Sequence, residues 1–376
     1  MLTFSPCFLP GMKGGGPIRA LVEILESAPD HVTVYLVTAD RDLGDTQPYP
    51  GLASRVTSYG RHKVYYWDRT SPESWLRLCR LLRAREFDSL FLNSLWSPQF
   101  TMLPWVLRQA RVIRSRAVLI APRGELSPGA LGLKHRKKRL ALATWGRLVR
   151  RTDPLWQVST DLEESHVRGA FPTARVIVQP DSRGPVPQDL VESETGAKFV
   201  FVSRISPMKN LTFLLQALRG CTAPLTLDIV GPLEDPEHWA DCRRVMDNLP
   251  DHISVSYAGT VPMEDVVARF GEYDAFLFPT LGENFGFVVP ESLSAGCPVI
   301  ASPHTPWTSL LARGCGLVLP LSGTAEWSKE IDRWARLSSA ERTAKKRLAL
   351  QTYSHWHHSQ TMTSALERGL TSSMSP

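Results

Sequence analysis

The stretch Pro279-Thr-Leu-Gly282-Glu283-Asn284-Phe285-Gly286-Phe287-Val-Val-Pro290-Glu291-Ser292, running on to Ala295-Gly296-Cys297-Pro298, reads as a loop that feeds a short helix. Pro290 is tolerated in a first helical turn, where the N–H it lacks has no partner, and Gly296 followed by Pro298 closes the same helix. Ala275–Phe278 before the loop and Val299-Ile300 after it are short apolar runs of strand type. A strand, a crossover helix and a second strand make one unit of a parallel sheet, and ligands of such sheets bind beyond the carboxyl ends of the strands. Glu283 on the loop and Glu291 in the first helical turn, with seven residues between them, could then both face one ligand. Taken alone, Glu291 is also explained as an acid beside the positive end of a helix dipole.

The same alternation extends in both directions. Phe199–Ser203, Leu225–Val230 and Ile253–Tyr257 read as strands, with helices over about Asn210–Leu218 and Met263–Phe270. Nearer the N-terminus, Leu2–Ser5, Val32–Val37, Leu90–Asn93, Val118–Ala121 and Trp156–Ser159 read as strands, with a helix over Ile18–Ser27. Between these halves, Pro180, Gly184, Pro185, Pro187 and Gly196 punctuate a polar stretch. At 376 residues the chain exceeds what one core holds. The expected organisation is an α/β chain with domains at 1–178 and 199–350, a linker at 179–198, and a C-terminal helix in 351–376 packing back toward the first domain. No short period marks a solenoid.

The net charge of +6 conceals a division. Residues 1–180 carry 26 Lys/Arg against 15 Asp/Glu, and the remainder 17 against 22, so the first half suits an anionic partner. No apolar run is long enough to span a bilayer, and no basic n-region with an apolar h-region opens the chain, which leads us to expect a soluble protein without a cleavable signal. The six cysteines are scattered, without zinc spacing, and read as reduced thiols in a cytosolic protein.

Two further loops stand out. After the first strand comes Pro10-Gly-Met-Lys13-Gly14-Gly15-Gly16-Pro17-Ile-Arg19, whose glycines precede a helix that Pro17 can open. Bare N–H groups at a helix start suit an anion such as phosphate. After Phe199–Ser203 comes Arg204-Ile-Ser-Pro-Met-Lys209-Asn210, where two cations bracket a turn. They could grip a diphosphate as fork and point charge, or be no more than two solvated charges.

Taken together, these residues resemble the retaining glycosyltransferases of family 4, glycosyl transferases group 1, whose GT-B fold sets two Rossmann-like domains with parallel sheets around a central cleft. Glu283 and Glu291 form the Glu-x7-Glu signature of that family. The resemblance also takes in Gly14–Gly16, Leu95-Trp-Ser-Pro98, Pro122-Arg-Gly124 with Lys137-Lys138 behind it, Arg204 and Lys209, Gly231, Gly286 and Pro306-Trp307. It implies a nucleotide-sugar donor and no metal or other cofactor, Arg204 and Lys209 neutralising the departing diphosphate. Glu283 would contact the donor sugar near its anomeric carbon, and Glu291 the ribose. Asn284, Phe285 and Gly286 would meet sugar or phosphate oxygens, with Gly15 and Gly16 approaching the phosphate from the first domain. The implied reaction is retaining transfer of a hexose or related sugar to a glycan or lipid-linked glycan, in bacterial surface polysaccharide synthesis at the cytoplasmic face of the inner membrane.

The chain departs from the family pattern in two places. Many members carry a histidine where Ala121-Pro-Arg123-Gly124 stands here, which makes Arg123 a candidate contact to a phosphate or an acidic sugar. The first strand is also clipped, so a start upstream of Met1 is expected.

Asp40-Arg41-Asp42 has the form of a metal–nucleotide motif but is attributed to chance. His355, His357 and His358 lack an acidic or thiol partner, and Trp356 among them reads as a packing residue. Lys134–Arg151 holds eight basic residues and no acid, with Leu133, Leu140, Trp145 and Leu148 interleaved. This is read as a basic amphipathic helix on an anionic membrane surface, or else as a solvated face or an acceptor-phosphate site, with Lys137 and Lys138 as contacts. No aromatic–basic groove for nucleic acid is found. The alternatives are an epimerase or phosphorylase on the same fold, or a basic binding protein with a degenerate site.

Overall fold

The computed structural model describes residues 1–127, 130, 131, 135–182, 184–194 and 196–359, of which 135–141 through their backbone. The chain divides after Ser182 into two compact units. Each is an α/β unit built on its own sheet.

The first unit contains strands β1 (Leu2–Ser5), β2 (Tyr35–Ala39), β3 (Val56–Tyr59), β4 (His62–Trp67), β5 (Glu86–Leu92), β6 (Arg114–Ile120), β7 (Leu155–Val158) and β8 (Arg175–Val178). Their order across the sheet is β3-β4-β2-β1-β5-β6-β7-β8. All pairings are parallel except β3 with β4, a hairpin turning at Gly60, whose φ is 55°. The sequence reading missed this hairpin, although Gly60 between two short strand-type runs is a turn signal. Strand β1 pairs on both sides, with Leu2 opposite Tyr35 and Leu90, and the Met1 amine donates to the Thr33 carbonyl at 2.9 Å. Side chains alternate between two buried layers. Leu2, Phe4, Leu90, Leu92 and Ile120 enter one, whereas Leu36, Phe91 and Leu119 enter the other. A parallel sheet covered on both faces requires that pattern.

The second unit contains β9 (Ala197–Val202), β10 (Leu225–Val230), β11 (Ile253–Gly259), β12 (Ala275–Phe278), β13 (Val299–Ala301) and β14 (Gly316–Val318), in the order β11-β10-β9-β12-β13-β14. Here too the layers alternate, with Phe199, Phe201 and Leu277 on one side and Val200, Phe276 and Phe278 on the other. The strands expected at Leu225–Val230 and Ala275–Phe278 form over those residues, because each is a short apolar run bounded by turn residues.

Hydrogen bonds fix both boundary segments locally. The stretch 179–198, expected as the linker, is bonded to the unit at each of its ends. Gln157 donates to the Gln179 carbonyl at 3.0 Å on the first unit. On the second, Gln188 N–H donates to the Ser294 carbonyl at 2.8 Å, and Arg342 donates to the carbonyls of Glu194 and Gly196. The helix Ser339–Ser359 belongs to the second unit, with Tyr353 fully buried and Trp356 edge-on to Trp307 at 4.9 Å. The rest of 351–376 lies outside the described residues.

Candidate functional site

In an open parallel sheet a crevice opens where the strand order reverses, beyond the carboxyl ends of the two strands at that point. In the second unit these strands are β9 and β12, which pair directly. The loops leaving them are Ser203–Asn210 and Pro279–Phe287, the two stretches that carry the predicted cations and Glu283.

After β9 the chain makes a 3-10 turn over Pro207–Lys209 and then places Asn210 in the left-handed region, at φ 59° and ψ 35°. Asparagine tolerates that conformation better than most residues. The Asn210 side chain donates to the Pro279 carbonyl at 3.1 Å, and Leu281 N–H donates to the Met208 carbonyl at 2.9 Å, so the two loops are stitched together. Lys209 consequently projects onto the second loop, where its ammonium pairs with Glu283 Oε1 and lies 5.8 Å from the Phe278 ring centroid. Only 12% of the Lys209 side chain and 10% of the Glu283 side chain are exposed. Arg204 instead pairs with Glu234 at 2.9 Å, and these two side chains are 42% and 46% exposed. A screened pair of that kind contributes about 1 kcal/mol or less, so Arg204 changes partners readily.

Gly231, directly after β10, packs against the start of the first loop. At its φ of 137° a Cβ would stand 1.9 Å from the Ser203 carbonyl oxygen, which leaves room for glycine alone. Gly286, at φ 74°, packs against the Glu283 side chain, where a Cβ would meet Cγ at 3.4 Å. Phe285 is buried, and its carbonyl accepts from the Trp307 indole N–H. Asn284 lies beside it on the same loop. The helix expected at Pro290–Ala295 forms over Val288–Ser294, with Glu291 buried in its first turn.

In the first unit the order reverses between β1 and β5. The loop after β1 is the glycine-rich one. Gly15 has φ 56°, Gly16 opens the helix Gly16–Glu26, and a Cβ on Gly14 would meet Cys7 Sγ at 2.5 Å. Asp42 holds this loop, its Oδ2 accepting the N–H groups of Met12 at 2.7 Å and Lys13 at 3.1 Å. Asp40 is paired with Arg41 at 2.8 Å. Both acids of the Asp40-Arg41-Asp42 motif therefore have structural partners, which sequence pattern alone could not reveal. Arg19, in the first helical turn after the glycines, went unassigned in the sequence reading; burial lowers its pKa to about 10.

Arg123 has partners of its own. Its guanidinium pairs with Asp181 and donates to Asn93 Oδ1 at 2.9 Å, with 8% of its side chain and 4% of that of Asp181 exposed. Asp181 also accepts from Ser159 Oγ at 2.9 Å. Glu163 accepts from the N–H groups of Gly124 at 2.6 Å and Ser159 at 2.8 Å, and burial, reinforced by Asp181, pushes its pKa up. A buried arginine so paired is a fixture of its loop, which weakens the expectation that it meets a phosphate. Lys137 and Lys138 lie where only the backbone is described. Trp145, expected at a membrane surface, is instead a core residue, edge-on to Trp105 at 4.9 Å and donating to the Leu95 carbonyl at 3.1 Å.

Two α/β units, each built on its own largely parallel sheet, make up the GT-B architecture. Residues 183–351 match the family model for glycosyl transferases group 1, over the span of the second unit. The chain is similar to a phosphatidyl-myo-inositol mannosyltransferase of Mycobacterium leprae, 28% identical over 318 residues that make up 81% of this chain and 76% of that one. It is also similar to O-antigen chain mannosyltransferase B of Escherichia coli, 26% identical over 153 residues, 38% of this chain and 39% of that one. Among solved structures, Anabaena HepE in complex with UDP-glucose superposes with a TM-score of 0.68 at 15% identity, covering 99% of this chain and 98% of that one.

Proposed function

We propose that the protein transfers a hexose, with mannose the first candidate, from a nucleotide-sugar to a lipid-linked or growing surface glycan, with retention at the anomeric carbon and without a metal. The observation that carries this reading is the Lys209–Glu283 pair at the carboxyl ends of β9 and β12, with Arg204 on the same loop. Two cations there suit a diphosphate, and the carboxylate suits sugar hydroxyls. The mannosyl donor and the lipid or polysaccharide acceptor are supported by the names of the two relatives. The Glu283-x7-Glu291 motif supports retention.

In this reading the charge that develops on the leaving diphosphate is met by fixed cations rather than by solvent. Preorganised groups of this kind lower the barrier because they need not reorient during the reaction. Lys209 is held in place by Glu283 before donor arrives, whereas Arg204 leaves Glu234 for the phosphate. Glu291 binds the ribose, and the loop at Asn284–Gly286 lines the sugar.

The location proposed is the cytoplasmic face of the inner membrane, reached through basic residues of Lys134–Arg151. With Trp145 in the core, this part of the reading rests on charge. Among the described residues no helix is long and apolar enough to cross a membrane.

The test is a panel of nucleotide-sugars, GDP-mannose and UDP-glucose among them, scored by thermal stabilisation and then by transfer. A donor that binds the folded state at a hundred times its Kd adds about 2.7 kcal/mol of stability. If none of the panel raises the melting temperature, the donor assignment fails.

A further inference from the structure

Thr280 lies two residues past β12, fully buried, on the loop that carries Glu283 and against the loop that carries Lys209. Its hydroxyl oxygen lies 3.2 Å from Glu283 Oε1, 3.1 Å from the Gly282 carbonyl and 3.4 Å from the Met208 carbonyl, and it accepts the Gly282 N–H at 3.2 Å. One hydroxyl hydrogen serves three acceptors, and the charged carboxylate holds it best. The group is fixed from behind as well, since Ser302 Oγ donates to the Thr280 carbonyl. A β-branched side chain is stiff at χ1, so the hydroxyl has little freedom to turn away.

We propose that Thr280 is a positioning residue for the reaction. Its hydroxyl orients the Glu283 carboxylate, and that carboxylate in turn orients the Lys209 ammonium toward the position of the donor diphosphate. The role in catalysis rests on the glycosyltransfer reading of this site, whereas the positioning of Lys209 does not. The same hydroxyl touches Met208, the residue before Lys209, and Glu283, the residue that Lys209 meets.

The experiment compares Thr280→Val, which keeps the shape and removes the hydroxyl, with Thr280→Ser, which keeps the hydroxyl. Two readouts are taken: kcat and KM for the donor, and the rate at which a small acylating reagent modifies Lys209, followed by mass spectrometry. In the wild type, burial and pairing should shield that amine from the reagent. We expect Thr280→Val to lower kcat by roughly tenfold or more with a smaller change in KM, because misplacement by a fraction of an ångström is enough to slow transfer. Lys209 should also be modified severalfold faster. Thr280→Ser should restore both.

Unchanged Lys209 reactivity in Thr280→Val overturns the proposal, as does equal impairment of the Val and Ser variants with parallel loss of melting temperature. Faster labelling in Thr280→Val, with no transfer by the wild type from any donor, supports the positioning role and sinks the glycosyltransfer reading. Should Thr280→Val not fold, Thr280→Ala gives the same comparison without adding an apolar methyl beside the carboxylate.

Discussion

Lys209 and Glu283, 74 residues apart in sequence, pair at the switch point of the second sheet with about a tenth of each side chain exposed. Arg204, five positions before Lys209, is tied to Glu234 at the surface. Burial makes the difference between the two cations. The Lys209 pair is poorly screened, whereas the Arg204 pair is screened by solvent and costs little to exchange.

Substituting the two cations should therefore separate catalysis from stability. Arg204→Ala and Lys209→Ala are each expected to lower turnover by roughly a hundredfold or more, since in the proposed reaction both meet charge that develops in the transition state. Lys209→Ala should also destabilise the fold by about 3 kcal/mol by leaving a buried carboxylate without its cation. Arg204→Ala should change unfolding by less than about 1 kcal/mol. Urea unfolding beside single-turnover rates checks both, and near-normal turnover in either variant removes that residue from the site.

The two glutamates should differ in what they limit. Glu291→Ala is expected mainly to weaken donor binding and Glu283→Ala mainly to slow transfer, because the second lies against Lys209. Titration calorimetry with the donor and pre-steady-state kinetics distinguish these effects. Equal loss of affinity in both variants would deny them separate roles.

Activity should persist in EDTA. Asp42→Ala should nonetheless lower activity, because it frees the Met12 and Lys13 amides and loosens the glycine-rich loop, and added Mn²⁺ should not restore it. Loss of activity in EDTA with recovery in Mn²⁺ would return Asp40-Arg41-Asp42 to the role of a metal motif.

His62 sets a pH dependence in the first unit. Its Nδ1 accepts the Val34 N–H at 3.1 Å and its Nε2 faces the Leu25 carbonyl at 2.9 Å, an arrangement that suits the neutral ring, and burial lowers its pKa. A folded pKa below the unfolded value means that the unfolded chain binds more protons in acid. This stabilisation is complete above about pH 6.5 and is lost as pH falls below it, at up to about 1.4 kcal/mol per pH unit. Denaturant unfolding of wild type and His62→Gln between pH 5 and 7.5 should show a steeper acid decline in the wild type. Parallel curves would be the contrary result.

Charge reversal at Lys137, Lys138 and Arg139 should release the protein from acidic vesicles and leave binding of a soluble nucleotide-sugar unchanged. Vesicle affinity should also fall with added salt, since charges are screened over about 8 Å at physiological ionic strength. Co-sedimentation of the triple variant at wild-type levels would leave the basic stretch as a solvated face or an acceptor-phosphate site.

Short apolar runs bounded by Gly and Pro were enough to mark β1, β10 and β12 and to place Arg204, Lys209, Glu283 and Glu291 on loops or helix starts, because these are local properties of the chain. The motif spacing pointed to the same family whose model matches residues 183–351. Partnership was not legible, because it depends on contacts between residues far apart in sequence. Arg123 and Asp181 lie 58 positions apart, and Met12 and Asp42 lie 30 apart. Composition read Trp145 as an interfacial residue, and only packing against Trp105 showed it to be core. Local pattern settled which residues are chemically equipped to act. Tertiary structure decided which cation is held and which is free to move, since burial and screening are set by the whole fold and not by the neighbours along the chain.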